Sequence, residues 1–239
     1  MVLSVKIIYF ISMNILLTND DGYSSIGIKL LQKMLKKYGQ VIVVAPKNVM
    51  SAKSVSITLG KPVTVIKESE NVYSLDGTPA DCVAFGLSNF NIDFDIVISG
   101  CNDGFNISYD TMYSGTVGAC LQALTYEKPA IAISAQGNFE IVEKYFDEVM
   151  DYINNHNLLS KEYLLNVNFP LGDVCEKIVE SSLYYRKKNT YYIHQGGNDY
   201  LAWRIIEDEK CDVVDSDVYC VHHKQISITK LNKTNYLGR

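Results

Sequence analysis

The 239-residue chain has no Cys-x-x-Cys pair among its six cysteines, and its four histidines form no His-Glu-x-x-His spacing. A zinc knuckle, a thioredoxin-like centre and a zinc-peptidase helix therefore have nothing to be built from. There is no Gly-x-Ser-x-Gly elbow, no P-loop and no Gly-x-Gly-x-x-Gly, which removes an acyl-transfer serine and the common glycine-rich phosphate cradles. Basic residues are outnumbered, 22 Lys and Arg against 27 Asp and Glu, for a formal net charge of -5, with no basic run interleaved with aromatics. Long nucleic acid finds no attracting field, and an anionic substrate must be held locally. No segment approaches the roughly 20 apolar residues that cross a bilayer. Neither an internal repeat nor a low-complexity tract is present. Scattered thiols of this kind are expected to stay reduced, in a soluble cytoplasmic protein without a membrane partner.

What is present suffices for one large domain: 47% of the residues are hydrophobic and 21% charged. Residues 1–12 read as an N-terminal extension; the apolar Ile7–Ile11 stretch is too short for a signal core, lacks a small-residue cleavage site and runs straight into the fold at Met13. Asn14–Thr18 reads as a buried strand, and Ile26, Leu30, Leu31, Met34 and Leu35 mark one face of a helix ended by Tyr38-Gly39. Gln40–Ala45 is a second apolar strand, stopped by Pro46. Strand, helix and strand make a βαβ unit whose strands are expected to be parallel neighbours. Strand signals at 62–75, 95–99 and 129–134 alternate with helices beginning near Pro79, after Ser114 and near residue 141. An α/β fold with a mostly parallel, Rossmann-like sheet follows. Beyond Phe169-Pro170 the pattern turns to tyrosine-rich strands and turns. A core over about 13–170 and an extension over about 171–239 are expected to form one domain, with the extension walling the site and packing against a partner subunit.

The most informative feature is Asp20-Asp21, placed where the first strand runs out into Asn19-Asp20-Asp21-Gly22. Two ionised carboxylates about 4 Å apart repel by roughly 4 kcal/mol at an effective dielectric near 20, and a divalent cation removes that cost. Side chains of successive strand residues point to opposite faces, so both acids reach one ion only if the backbone turns after Asn19. Gly22 permits the turn. An isolated Asp-Asp-Gly is more often a capped, solvated turn. A second loop, Gly100-Cys-Asn-Asp-Gly-Phe-Asn106, follows the buried strand Asp95–Ser99, and such loops gather at the carboxyl edge of a parallel sheet. The polar 46–61 connection leaves from the same edge and carries Ser51. Asp20, Asp21, Ser51 and Asn102 are hard oxygen donors, which suit Mg²⁺ or Mn²⁺. Ser114, Gly115 and Thr116 lie at a predicted helix N-terminus, suited either to a phosphate or to simple capping. His222 and His223 are expected on opposite sides of a strand or turn, without a catalytic part. One or two of the tyrosines are candidates to hold a nucleobase.

Ile15-Leu-Leu-Thr-Asn-Asp-Asp-Gly22, Ser99-Gly-Cys-Asn-Asp-Gly-Phe-Asn106 and Tyr113-Ser-Gly-Thr-Val-Gly-Ala119 resemble the characteristic loops of the survival protein SurE nucleotidases. The likeness extends through Val44-Ala-Pro46 with Ser51 and Thr58, Asp76–Val83, Leu165-Asn-Val-Asn-Phe-Pro170 and Ser216–Thr229. It implies a phosphatase acting on nucleoside 5′- and 3′-monophosphates, with one divalent metal on Asp20, Asp21, Ser51 and Asn102 and catalytic work by Asp20 and Asp21. It also implies phosphate contacts on Asn106 and Ser114–Thr116, and a C-terminal region exchanged within a homodimer or homotetramer. Ala52, Ile107-Ser108 and Lys230 stand where the family usually has Gly, Leu-Gly and Pro, and none of these removes a ligand. The competing readings are a metal-dependent nucleoside hydrolase, which would need more acids near the first loop, and a nucleotide-binding module without turnover.

Overall fold

The computed structural model describes residues 12–186, 188–206 and 211–232, so the N-terminal extension, Ser12 apart, lies outside the described residues. The chain runs β1 (Met13–Thr18), α1 (Ile26–Leu35), β2 (Gly39–Pro46), β3 (Val65–Ser69), β4 (Val72–Leu75), α2 (Pro79–Asn89), β5 (Ile96–Asp103), α3 (Asp110–Tyr113), α4 (Gly115–Thr125), β6 (Ala130–Ala135), α5 (Glu140–Asn155) and β7 (Tyr163–Asn168). Then come β8 (Lys177–Ser181), β9 (Lys188–Gly196), β10 (Asp199–Ile206), α6 (Asp217–His222) and β11 (Gln225–Asn232). Each long helix near the site starts on a side chain that satisfies an orphan backbone donor. Ser25 accepts from the Ile28 N–H, Thr78 and Asp81 form a reciprocal capping box behind Pro79, and Ser114 accepts from the Val117 N–H.

The expected α/β architecture is present: nine strands lie in the order β3-β4-β2-β1-β5-β6-β7-β11-β8. All neighbours from β4 to β7 pair in parallel, β1 with β2 as anticipated, whereas β3 and β11 run antiparallel to β4 and β7. The alternation of β1 divides the core. Ile15 and Leu17 pack with Ile28, Leu31 and Phe146 of α1 and α5 on one face, while Leu16 packs with Val83 and Val117 of α2 and α4 on the other. Burial of both faces is why the parallel strands read as unbroken apolar runs.

Two expectations are corrected. The strand expected to stop at Ser99 continues to Asp103, because the register against β6 shifts by one residue between the Ser99–Ala132 and Asn102–Ser134 pairs. Such a bulge admits the extra residue without ending the ladder, and the loop begins only at Gly104. His222 and His223 do not alternate across a strand or turn: they close and cap α6, whose helix is started by Ser216 accepting from the Tyr219 N–H. The tyrosine-rich segment forms the hairpin β9–β10, which among the described residues is a two-stranded sheet of its own.

Helix α4 lies against the connection after β2 at van der Waals distance. A Cβ on Gly118 would lie 2.0 Å from the Ser54 carbonyl oxygen, and Ser54 donates its N–H to the Tyr113 carbonyl at 2.9 Å and its hydroxyl to the Met112 carbonyl at 2.8 Å. Helix propensity alone predicts that Gly118→Ala stabilises by about 0.5–1 kcal/mol. The backbone approach predicts the opposite sign, a loss of about 1–3 kcal/mol, which urea unfolding of the variant measures.

Candidate metal and phosphate site

Strand β1 has β2 on one side and β5 on the other. The chain builds outward from β1 in one direction and then in the other, which makes the β1–β5 boundary the topological switch point, where a crevice opens beyond the carboxyl ends of the strands. Asn19, Asp20 and Asp21 follow β1 there, and Asn102 and Asp103 end β5 beside them. The Asp103 N–H donates to Asp21 Oδ2 at 3.3 Å and joins the two loops.

The acidic turn is organised by its preceding residue. Asn19 Oδ1 accepts the Gly22 N–H at 3.1 Å, while its Nδ2 donates to the Gly22 carbonyl at 3.0 Å and to Ser25 Oγ at 2.8 Å. The chain is thereby bent away from extended geometry where the two acids occur, with Gly22 at a φ of 99°. Asp20 is buried, at 4% exposure. Its Oδ1 accepts from Thr116 Oγ1 at 2.5 Å, and a Cβ on Gly115 would lie 2.7 Å from the Asp20 Cβ. The absence of a side chain at 115 is what lets the N-terminus of α4 close on the acidic loop. The Ser114 hydroxyl caps α4 through the Val117 N–H at 3.1 Å. Thr116 gives its hydroxyl to Asp20 and the Val117 N–H is taken by Ser114, so the Gly115 and Thr116 N–H groups are what the first turn of α4 offers an anion.

Ser51 is exposed, and its position is fixed through its neighbours: the Met50 N–H donates to the Asp20 carbonyl at 2.7 Å. Ala52 has a φ of 58°, a left-handed conformation that Gly adopts without steric cost. Farther along the same connection, Thr58 gives its N–H and its hydroxyl to Asp81 at 2.8 and 2.7 Å, and Asp81 also accepts the Thr78 N–H at 2.9 Å. Burial pushes the Asp81 carboxyl up, but these donors outweigh it and hold the group below the ordinary range. Asn102 donates Nδ2 to the Gly104 carbonyl at 2.8 Å, which leaves its amide oxygen as acceptor. Asn106 is nearly buried, at 5% exposure, and bonded to the ends of β6 and β7. Sequence reading missed the parts played by Asn19, Asp103 and Asp81. The local signals were Asn three residues before a Gly and the Thr78-x-x-Asp81 spacing of a capping box.

The surroundings of both acids disfavour the ionised form. Burial pushes the Asp20 carboxyl up to about 6, offset by the Thr116 hydroxyl and reinforced by the charge of Asp21. Asp21 is also raised, chiefly by burial, with the Asp103 N–H opposing and the Asp103 charge adding. Among the described residues neither acid has a Lys, Arg or His within salt-bridge distance. No group of three His, Cys, Asp or Glu placed to hold a metal occurs among those residues either, so a cation here relies on two carboxylates and neutral oxygens. The donor chemistry fits a hard divalent ion. A carboxyl at about 6 in the fold against an ordinary 3.8 binds its proton more tightly when folded, so its penalty is absent below the ordinary value and complete once pH exceeds about 6. Urea unfolding in EDTA is expected to show Asp20→Asn more stable than the parent by roughly 2–3 kcal/mol near pH 8, with the gap closing as pH falls through 6 toward 4.

Comparisons with known proteins point to one family. The family model described as "Survival protein SurE" matches residues 15–193, which include both acidic loops and the α4 turn. A protein named 5′-nucleotidase SurE from Clostridium botulinum (strain ATCC 19397 / Type A) is 37% identical over 237 residues, covering 92% of this chain and 93% of that protein. Another of the same name from Acinetobacter baylyi is 35% identical over 246 residues, covering 94% and 96%. The crystal structure of the SurE protein from Aquifex aeolicus superposes with a TM-score of 0.80 at 31% identity, over 94% of this chain and 96% of that one. With sequence and fold alike over nearly its whole length, the chain belongs to the SurE family.

Proposed function

We propose that the chain is a divalent-metal-dependent phosphatase that hydrolyses nucleoside 5′- and 3′-monophosphates to nucleoside and inorganic phosphate. One observation carries the reading: Asp20, the buried member of the acidic pair, is hydrogen-bonded to Thr116 in the first turn of α4. The place suited to a cation and the place suited to a phosphate therefore share an edge. The relatives named 5′-nucleotidase support the substrate class.

Asp20, Asp21, Ser51 and Asn102 would hold the ion, Mg²⁺ or Mn²⁺. When bound, that ion polarises a phosphoryl oxygen and acidifies water. Asp20 or Asp21 would orient the attacking water in line with the leaving ribose oxygen and take its proton as the new P–O bond forms, while the ribose oxygen, released as its P–O bond breaks, takes a proton from solvent water. The N–H groups of Gly115 and Thr116, at the positive end of α4, hold the equatorial oxygens, where a loose phosphoryl transition state gathers charge. Asn106 adds a side-chain donor to the same oxygens. We assign the β9–β10 hairpin to the contact between copies in a homodimer or homotetramer, because it leaves Tyr192, Tyr200 and Trp203 more than half exposed, at 70%, 60% and 56%. Among the described residues no helix is long and apolar enough to cross a membrane.

Asp20→Asn keeps the shape of the turn and removes charge from the pair. Its turnover of a nucleoside monophosphate in Mn²⁺ is expected to fall by roughly 10² or more, with Mn²⁺ affinity weakened in titration calorimetry. A folded Asp20→Asn protein with full activity would falsify the assignment.

A further inference from the structure

Asn166 and Asn168 alternate on β7 and so share one face of the sheet, and Asn168 is the register partner of Ser134 on β6. All three are fully buried. Polar side chains at such depth are costly unless bonded, and here they converge on one residue. Asn168 Oδ1 accepts the Asn106 N–H at 2.8 Å, and its Nδ2 donates to the Asn106 carbonyl at 3.1 Å. Asn166 Nδ2 donates to the same carbonyl at 2.7 Å, and the Asn106 side chain meets Ser134 Oγ at 2.8 Å. A single side-chain amide thus clamps both the N–H and the C=O of residue 106, a second amide closes on the C=O, and a hydroxyl fixes χ of the side chain. The side-chain amide offers a donor and an acceptor in one plane, which this clamp uses. Ser134 can donate or accept, so it holds the Asn106 amide whether oxygen or nitrogen faces the strand. Asn166 Oδ1 is buried with no hydrogen-bond partner among the described residues.

We infer that Asn168, supported by Asn166 and Ser134, is a positioning residue that sets the Asn106 amide against the transferring phosphoryl group. The inference rests on the reading of Asn106 as a phosphate contact. A preorganised donor acts on the transition state, so its loss lowers kcat rather than weakening ground-state binding. Asn168→Asp preserves size and the acceptor for the Asn106 N–H, and sets a carboxylate oxygen against the Asn106 carbonyl. With a nucleoside 5′-monophosphate in Mn²⁺, kcat of this variant is expected to fall by about 10- to 100-fold while KM moves less than about threefold. Mn²⁺ affinity is expected to stay within about twofold, since Asn168 bonds to none of the proposed ligands. Ser134→Ala, a smaller change that leaves the backbone clamp intact, lowers kcat by roughly 10-fold in the same manner. In an Asn106→Ala background, where the positioned amide is gone, Asn168→Asp is expected to cost less than about twofold more.

Asn168→Asp and Ser134→Ala proteins that fold and retain the parental kcat overturn the inference, as do losses that multiply in the double variant. If Asn168→Asp does not fold, Ser134→Ala and its combination with Asn106→Ala decide alone. An Asn106→Ala protein with parental kcat overturns the phosphate assignment and the inference with it. Loss on Asn106→Ala with none on the other two overturns the inference only.

Discussion

Two carboxyl groups held together at the end of β1, with no basic side chain among the described residues within salt-bridge distance, are the constraint on which the rest of the site depends. Asp20 is buried, its carboxyl pushed up to about 6 by that burial, and Asp21 adds a like charge beside it. A fold selected for stability alone would place an apolar or neutral residue there. The neighbouring chain is arranged to hold the acids in place: Asn19 bends the turn, the Asp103 N–H joins Asp21 to the end of β5, and Thr116 reaches Asp20 from α4.

The same elements explain how a site is assembled from segments far apart in the chain. Chain reversal at β1 puts two strand ends beside each other, and the bulge in β5 carries Asn102 and Asp103 onward along the sheet edge instead of into solvent. Asp81 ties the connection after β2 to the start of α2, and Ser54 ties it to the residues before α4. With the Met50 N–H bonded to the Asp20 carbonyl as well, Ser51 is held by anchors on both sides. Gly115 and Gly118 complete the arrangement by lacking side chains where backbone and carboxylate must approach. Each contact is modest, and their common effect is to fix geometry before a ligand arrives, which is where rate enhancement in phosphoryl transfer originates.

Much of this was legible in the chain. Strands β1, β2 and β6 are buried on both faces and read as apolar runs, and their parallel pairing follows from the helices between them. The acidic loop was visible because a second polar, glycine-bearing loop follows another apolar strand and both gather at the carboxyl edge of a parallel sheet, whereas Asp-Asp-Gly alone is more often a capped turn. The course of β5 was hidden, since Gly100 and the polar residues after it resemble a loop until β6 is present to pair with them. The Asp20–Thr116 bond joins residues 96 apart, and nothing local announces it. Asn166 and Asn168 were visible as part of a resemblance, but their convergence on Asn106 depends on the order in which β5, β6 and β7 are laid down. The helical setting of His222 and His223 depends on the Ser216 cap, a cue weaker than the neighbouring strand signals.

The central claim is that the acidic pair and the α4 turn together hydrolyse a nucleotide phosphate ester with the help of a divalent ion. It is tested most directly by incubating the protein with 5′- and 3′-nucleoside monophosphates in Mg²⁺, Mn²⁺ or EDTA and following inorganic phosphate and free base in the same reactions. The account predicts phosphate and intact nucleoside in the presence of metal and neither product in EDTA. Free base without phosphate, or phosphate release that EDTA leaves unchanged, would contradict it.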